Sequence, residues 1–561
     1  MNKQALLHKS DSLYSFATDK DAVELRLRAA RGELTAVELI YGMKHKFCVE
    51  RKSAAMSLAA TDELFDYFSI RLKLSDKRLA YVFRLTDTAG EKYYYSEDGA
   101  TEDYDFSLAY YNFFQLAYVN PNDVMPKVDW LSEAVVYQIF VDRFCRAELG
   151  GGASSIPAVD ASYINMKWGE KPTPKSFAGG NLDGITQNLD YLCGLGVNTL
   201  YLTPIFTSVS NHKYDISDYY NVDSHFGGND AFKRLVDGCR ARGMRVILDA
   251  VFNHCSEDLA QFRDVREKGE KSKYHDWFVI RGDKPTKHSL NYEVFAECAY
   301  MPKWNTANPE VIEYLCGVGE YWIKEYGIDG WRLDVSDEVS HEFWRTFRKR
   351  IKALGSDKVL IGENWHDSRA YLMGDQFDSI MNYAFTKAEL DFFVYGTLDA
   401  RALCDRLNGL LMRNITQVNY MMLNLIDCHD THRFFTLCGK NEGKLLSALA
   451  INMFMPGATM IYYGTEIPLE GGYDPDNRRC FMWGDHPFTD RVRELLRYKK
   501  SKALAVGDVA FHSDDGVFII ERKTDEQTVT LYVNNSDKKK TVRGIEIGAC
   551  GYKITDKQYK K

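Results

Sequence analysis

The chain has 561 residues, of which 45% are hydrophobic, 27% charged and 13% aromatic, and its 71 basic and 79 acidic residues leave a formal net charge of -8. Its 31 Phe, 35 Tyr and 9 Trp give far more apolar surface than a disordered chain carries, and a pI near 6.0 provides no basic field to attract nucleic acid. The longest apolar stretch, residues 448–463, is broken by Asn452, Pro456 and Gly457 and falls short of the roughly 20 residues of a membrane span, so it reads as buried core.

The basic runs at 538–540 and 560–561 read as solvated faces. The start, MNKQALLHKSD, has no apolar segment of a secretory leader, and the twelve cysteines form no C-x-x-C pair, so reduced packing thiols and a cytoplasmic location are expected. His429 and His432 have the i, i+3 spacing of helical metal ligands. No Cys or Glu cluster accompanies them, and no metal is expected there.

In chain order, residues 1–125 contain AVELRLRAA, AVELIYGM, YFSIRLKL, RLAYVFRLT and EKYYYSEDG, alternating runs of strand length that predict an antiparallel β-sandwich. The Pro-containing run VNPNDVMPKVDW then reads as a linker. Across residues 126–503, short apolar strands alternate with helical patterns: AVVYQIFV, NTLYLTPI, RVILDAVF, GWRLDV, VLIGEN, SIMNYA, YMMLNLID and TMIYYGTE. Eight such units predict a closed (β/α)8 TIM barrel. A doubly wound sheet is the alternative, weakened by the absence of G-x-G-x-x-G. The long interval at about 254–308 predicts a subdomain inserted after the third strand, and it ends at the helix PEVIEYLCGVGEYWIKEY. Residues 504–561, with GVFIIERK and QTVTLYVNN, predict a small all-β domain.

Ionisable residues recur at the C-terminal ends of four strands: Asp249, Arg332 with Asp334, Glu363, and His429 with Asp430. In a barrel, loops converge on that face and form active sites, whereas a single Asp there could equally be a helix cap. Arg332 and Asp334 share a strand face, so the guanidinium is expected to lower the carboxyl pKa and leave a ready nucleophile. Glu363, near Trp365 and other carboxylates, is expected to have a raised pKa suited to a proton donor. Two carboxyl groups tuned apart in this way are the apparatus of glycoside hydrolysis. Tyr214, Phe295, Trp304 and Trp365 are candidates to stack on sugar rings.

LDAVFNH, GWRLDV, GEN and the HD pair, in this order, resemble the four signature regions of glycoside hydrolase family 13, the α-amylase family. VVYQIFVDRF, SNHKYDISDY and MPKWN extend the resemblance. MPKWN is similar to the MPKLN signature of the neopullulanase, cyclomaltodextrinase and maltogenic amylase subfamily, and the N-terminal module resembles its family 34 carbohydrate-binding domain. The resemblance implies Asp334 as nucleophile, Glu363 as general acid/base and Asp430 as the third carboxylate. It also implies that Asp249, His254, Arg332 and His429 shape the subsite of the ring being cleaved, that Tyr214 and His212 contact that ring, and that Phe295, Trp365, Asp474 and Arg478 contact outer rings. The implied activity is retaining hydrolysis of α-1,4, and also α-1,6, bonds in cyclodextrins, maltooligosaccharides or pullulan. A homodimer, with one N-terminal domain covering the partner's site, is implied too. Trp304 and Asp337 depart from the subfamily pattern and bear on acceptor preference. DRFCRAELGGG lacks the Asn and Asp ligands of calcium-binding relatives, and Asn181 stands where they often carry Asp, which argues against a structural calcium and leaves no cofactor required. Two alternatives remain: a transglycosylase using the same residues, and a non-catalytic glucan-binding relative, against which the complete catalytic set speaks.

Overall fold

A computed structural model describes residues 1–147 and 161–559. The 560–561 basic run and the part of DRFCRAELGGG from residue 148 lie outside the described residues. One compact unit comprises Met1–Lys127, Gly396–Asn419 and Ala510–Glu521, and a second comprises Val128–Tyr395, Tyr420–Val509 and Arg522–Lys561.

In the first unit all five expected strands form, the longest being Ala22–Ala30, Leu34–Met43, Phe65–Lys73 and Leu79–Asp87. Shorter strands, among them Ser15–Asp19 and Ser57–Thr61, complete two antiparallel sheets. Alternation along Ala22–Ala30 sends Val23, Leu25 and Leu27 inward, where they meet Leu39, Tyr81 and Phe83 of the other sheet in one buried core.

The second unit is built on eight parallel strands: β1 (Val135–Ile139), β2 (Thr199–Leu202), β3 (Arg245–Ala250), β4 (Gly330–Leu333), β5 (Val359–Gly362), β6 (Ser379–Ile380), β7 (Leu423–Asn424) and β8 (Ala458–Tyr462). Each pairs with the next, β8 returns to β1, and a parallel bridge between Met381 and Leu423 joins the β6 and β7 segments. The circuit therefore closes, which removes the doubly wound alternative. At β4 the sheet admits only glycine: a Cβ on Gly330 would sit 2.2 Å from the Val359 carbonyl oxygen.

Local signals explain the helices. Pro309–Tyr326 starts with the Asn308 side chain accepting the Glu310 N–H and with Pro309 in the first turn, and it stops at Gly327 with φ +71°. The apolar stretch 448–463 is core, divided between the helix Glu442–Phe454 and β8. The chain turns between them at Gly457, where φ is +104°. After β2 comes a hairpin the strand patterns did not indicate, Phe206–Ser208 paired with Ile216–Val222. The final strands Gln527–Asn534 and Gly551–Gln558 pair antiparallel. Among the described residues no helix is long and apolar enough to cross a membrane.

Candidate active site

Strand register assembles the floor of the site. β3 and β4 pair with Asp249 opposite Arg332, and Glu363 follows β5 directly. The fully buried Arg332 is the hub: Nη1 donates to Asp334 Oδ1 at 2.8 Å and to Asp249 Oδ1 at 3.0 Å. Nη2 lies 2.8 Å from Glu363 Oε2 but is not aligned as a hydrogen bond. Asp334 and Glu363 thus flank one guanidinium, which bounds the gap between those two oxygens at about 8 Å. Asp334 Oδ2 is buried and has no hydrogen-bond partner.

Glu363 is held by three neighbours. Its Oε2 accepts the Val335 N–H at 2.9 Å, its Oε1 accepts the Trp365 indole N–H at 3.3 Å, and its carbonyl accepts the Ser336 hydroxyl. Val335, a β-branched residue, takes a left-handed backbone (φ 44°, ψ 48°) that turns its N–H onto the carboxylate, a strained geometry typical of functional positions.

The expected tuning is half right. Burial pushes Glu363 up, with Asp430 adding to the shift, against the pull of Arg332. Burial also pushes Asp334 well above the carboxylate range and outweighs the Arg332 effect, contrary to the expected lowering. Asp249 rises to about 6 for the same reason. One cation faces three buried carboxyl groups, so burial and their mutual repulsion together favour the protonated forms against the pull of Arg332.

His429 and Asp430 lie on a turn beyond β7, not at the strand end itself. Neither His429 nor His432 is on a helix, His432 is exposed, and the metal-ligand spacing has no helical meaning here. His429 Nδ1 accepts from Gln138 Nε2 at 2.8 Å, so its proton sits on Nε2, 2.5 Å from the Tyr214 hydroxyl, which itself donates to Asp249 at 2.9 Å. Cys428, His429 and Asp430 lie close together, but both ring nitrogens of His429 are already engaged. Arg478 donates to Asp430 at 3.3 Å and pairs with Asp474 at 3.0 Å.

His212 and Tyr214 stand at the tip of the 206–222 hairpin. Between them Lys213, left-handed at φ 63°, is buried and donates to the Ser208 carbonyl and to Asp223 at 2.7 Å, pinning the tip. His212 Nδ1 accepts the Tyr214 N–H, leaving Nε2 to carry the proton. Burial drives His212 down to about 4 and His254 to about 3, and it holds His429 well below its ordinary value, so all three rings are neutral donors near pH 7.

Above this floor opens a cavity of about 570 Å³. It is lined by Asp334, Glu363, Asp430, His212, Tyr214, His254, Phe295, Trp365, Asp474 and Arg478. Asp249, Arg332 and His429 do not reach it and instead support residues that do. Phe295 stacks on His254 with ring centroids 4.7 Å apart. Trp304 is not a stacking surface: it is 1% exposed and packed on Phe278 in the core of the inserted segment, so it cannot touch an acceptor sugar. Asp337 does line the cavity. Tyr300 and Tyr473 line it too and were not foreseen, because exposed aromatics on loops leave no periodic signal. Neither was Cys298, which corrects the view of every thiol as packing. None of the twelve cysteines is in a disulfide. Asn181 Oδ1 caps a helix by accepting the Gly184 N–H at 2.8 Å, which leaves that oxygen engaged rather than offered to a cation.

Known proteins match this architecture. The family described as alpha amylase, catalytic domain, matches residues 138–524, and that described as alpha amylase, N-terminal ig-like domain, matches residues 1–120. The chain is 40% identical to a cyclomaltodextrinase of Thermoanaerobacter pseudethanolicus over 97% of its length and 94% of the relative's. It is 40% identical to neopullulanase 2 of Thermoactinomyces vulgaris over 96% and 92%. A solved cyclomaltodextrinase structure superposes with a TM-score of 0.90 at 37% identity, covering 97% of this chain and 93% of the other.

Proposed function

The chain belongs to the α-amylase family of glycoside hydrolases, and from that premise we propose that it is a retaining α-glucan hydrolase acting on cyclodextrins, maltooligosaccharides or pullulan. The observation that carries this reading is the buried, unpartnered Oδ2 of Asp334 in a sugar-sized cavity, beside a carboxyl group that hydrogen bonds hold in place.

In this reading Asp334 Oδ1 stays on Arg332 while Oδ2 attacks the anomeric carbon. Glu363 gives its proton to the departing glycosidic oxygen, so the C1–O bond breaks as the Asp334–C1 ester forms. Water, losing its proton to Glu363, then attacks C1 from the face the leaving group vacated and releases the α anomer. Burial raises both carboxyl groups, but only Asp334 receives the aligned Arg332 N–H, so we take the charge the pair carries to rest on Asp334 and the shared proton on Glu363. Asp430, on Arg478, and the Nε2–H groups of His212 and His254 are placed to bind sugar hydroxyls. Tyr214 forms the floor of the ring's subsite, and Phe295, Trp365, Asp474 and Arg478 contact outer rings. Twelve cysteines outside any disulfide support a reducing, cytoplasmic location, and a homodimer completes the reading.

The test is a rate comparison on β-cyclodextrin, pullulan, maltotriose and soluble starch, with the anomer of the first product followed by NMR. Rapid cleavage of cyclodextrin or pullulan to α products is expected. β products, or activity confined to starch, overturn the reading. Longer oligosaccharides dominating from maltotriose would establish the transglycosylase instead, and a single monomeric mass across concentrations by light scattering would remove the dimer.

A further inference from the structure

The two oxygens of Glu363 sit in unequal surroundings. Oε2 accepts the Val335 N–H at 2.9 Å and lies 2.8 Å from Arg332 Nη2, so a proton placed there would face two donors. Oε1 accepts a single, longer bond, 3.3 Å from the indole N–H of Trp365. The acidic proton therefore belongs on Oε1, the oxygen that Trp365 touches.

The indole is not free to wander. Its ring lies flat on Tyr383, with centroids 3.7 Å apart and planes 6° from parallel, and Tyr383 is buried with its hydroxyl 3.5 Å from Cys428 Sγ. Tyr383 covers one face of Trp365 and fixes the plane in which Nε1 points at Glu363, while Trp365 remains 45% exposed on the cavity wall.

We propose that Trp365 is a positioning residue for the general acid/base: its indole N–H competes with the proton for Glu363 Oε1 and favours the carboxylate that serves as base in the second half-reaction. This rests on the assignment of Glu363 made above. In the first step the proton leaves Oε1 for the glycosidic oxygen, and the bared carboxylate gains the Trp365 N–H. In the second, water returns a proton to Oε1 as its oxygen displaces Asp334 from C1, and the indole bond is surrendered. A 3.3 Å bond is weak enough to be exchanged in every turnover, whereas the Val335 bond persists through both steps.

Other groups also act on Glu363. Arg332 faces it from β4 and Asp334 from just beyond that strand, Asp430 and Cys428 from the segment beyond β7, Tyr201 from β2 and Tyr383 from the helix Tyr383–Phe393. A Trp365→Phe change leaves all of them in place and keeps an aromatic face on Tyr383, so it isolates the indole N–H.

The experiment measures kcat/KM for maltotriose against pH in wild type, Trp365→Phe, Trp365→Leu and Glu363→Gln, with turnover of α-maltosyl fluoride alongside, since its fluoride departs without an acid. Loss of the N–H in either Trp365 variant is expected to raise the alkaline limb by about half a pH unit. It should also slow fluoride turnover several-fold, because the base step is then exposed. The second variant gives an independent reading should the first fold poorly. A KM increase with the alkaline limb unmoved reduces Trp365 to a stacking surface and overturns the proposal. Glu363→Gln is expected to abolish the limb along with most turnover; a limb surviving in that variant would instead remove the assignment of Glu363 itself.

Discussion

The floor and the rim of the cavity are built on opposite principles. Asp249, Arg332, Asp334 and Glu363 lie at or just beyond the ends of adjacent strands, none more than 6% exposed, and are positioned by β-register and by one shared guanidinium. Phe295, Tyr300, Trp365 and Tyr473 hang from loops, and the last three are 41%, 45% and 63% exposed. Register leaves little freedom to the chemistry, whereas loops leave much to the choice of substrate. Substitutions in the floor should therefore act on turnover and those at Phe295, Tyr300 and Tyr473 on binding, while Trp365, whose indole also touches Glu363, joins the two.

The largest effect is expected at Asp334→Asn. The amide keeps the shape but is a poor nucleophile, so kcat on maltotriose should fall on the order of 10⁴-fold or more. Because burial works against the Asp334 charge, the melting temperature should stay level or rise; a fall of several degrees would mean the residue is structural. Arg332→Lys comes next. One ammonium cannot replace a planar fork that touches three carboxyl groups, and kcat should drop roughly 10²- to 10³-fold.

His254 links the floor to stability. Burial keeps its pKa at about 3 against 6.5 for the free ring, so the unfolded chain takes up a proton that the native state refuses. Stability from this group is full above pH 6.5 and is lost as pH falls toward 3. His254→Gln should accordingly lose less stability than wild type between pH 6.5 and 4, by about 3 kcal/mol, as read from urea midpoints at each pH. Parallel curves for the two proteins would contradict the neutral, buried ring.

The same division explains what the sequence revealed. Eight barrel strands, the N-terminal strands and the helix Pro309–Tyr326 were legible because burial imposes a period and caps leave residues such as Asn308 and Gly327. Arg332 beside Asp334 followed from strand alternation alone. The sign of the Asp334 shift did not, because it depends on how deeply the pair is buried and on two further carboxyl groups brought from other strands. The fate of Trp304 was equally hidden: nothing in MPKWN tells whether the indole faces a sugar or, as found, Phe278. Val335 escaped for a different reason, since its role belongs to a backbone N–H whose direction no side-chain pattern reports.

The smallest expected effect falls at the rim, on Tyr473. It is exposed, lines the cavity, has His432 against its ring at 5.5 Å, and precedes Asp474, which is paired with Arg478. A ring in that position offers one stacking face to a sugar beyond the reacting one and makes no contact with Asp334 or Glu363. Removing an exposed stacking face costs about 1 kcal/mol, so Tyr473→Ala should raise KM for maltotriose roughly fivefold and leave kcat within a factor of two. The ratio of kcat/KM between maltotriose and a substrate with a single glucose on the non-reducing side should shrink with it, because the shorter substrate never reaches the ring. A matching fall in kcat would place Tyr473 in the transition state rather than at the entrance, and the separation between floor and rim would then have to be drawn further out.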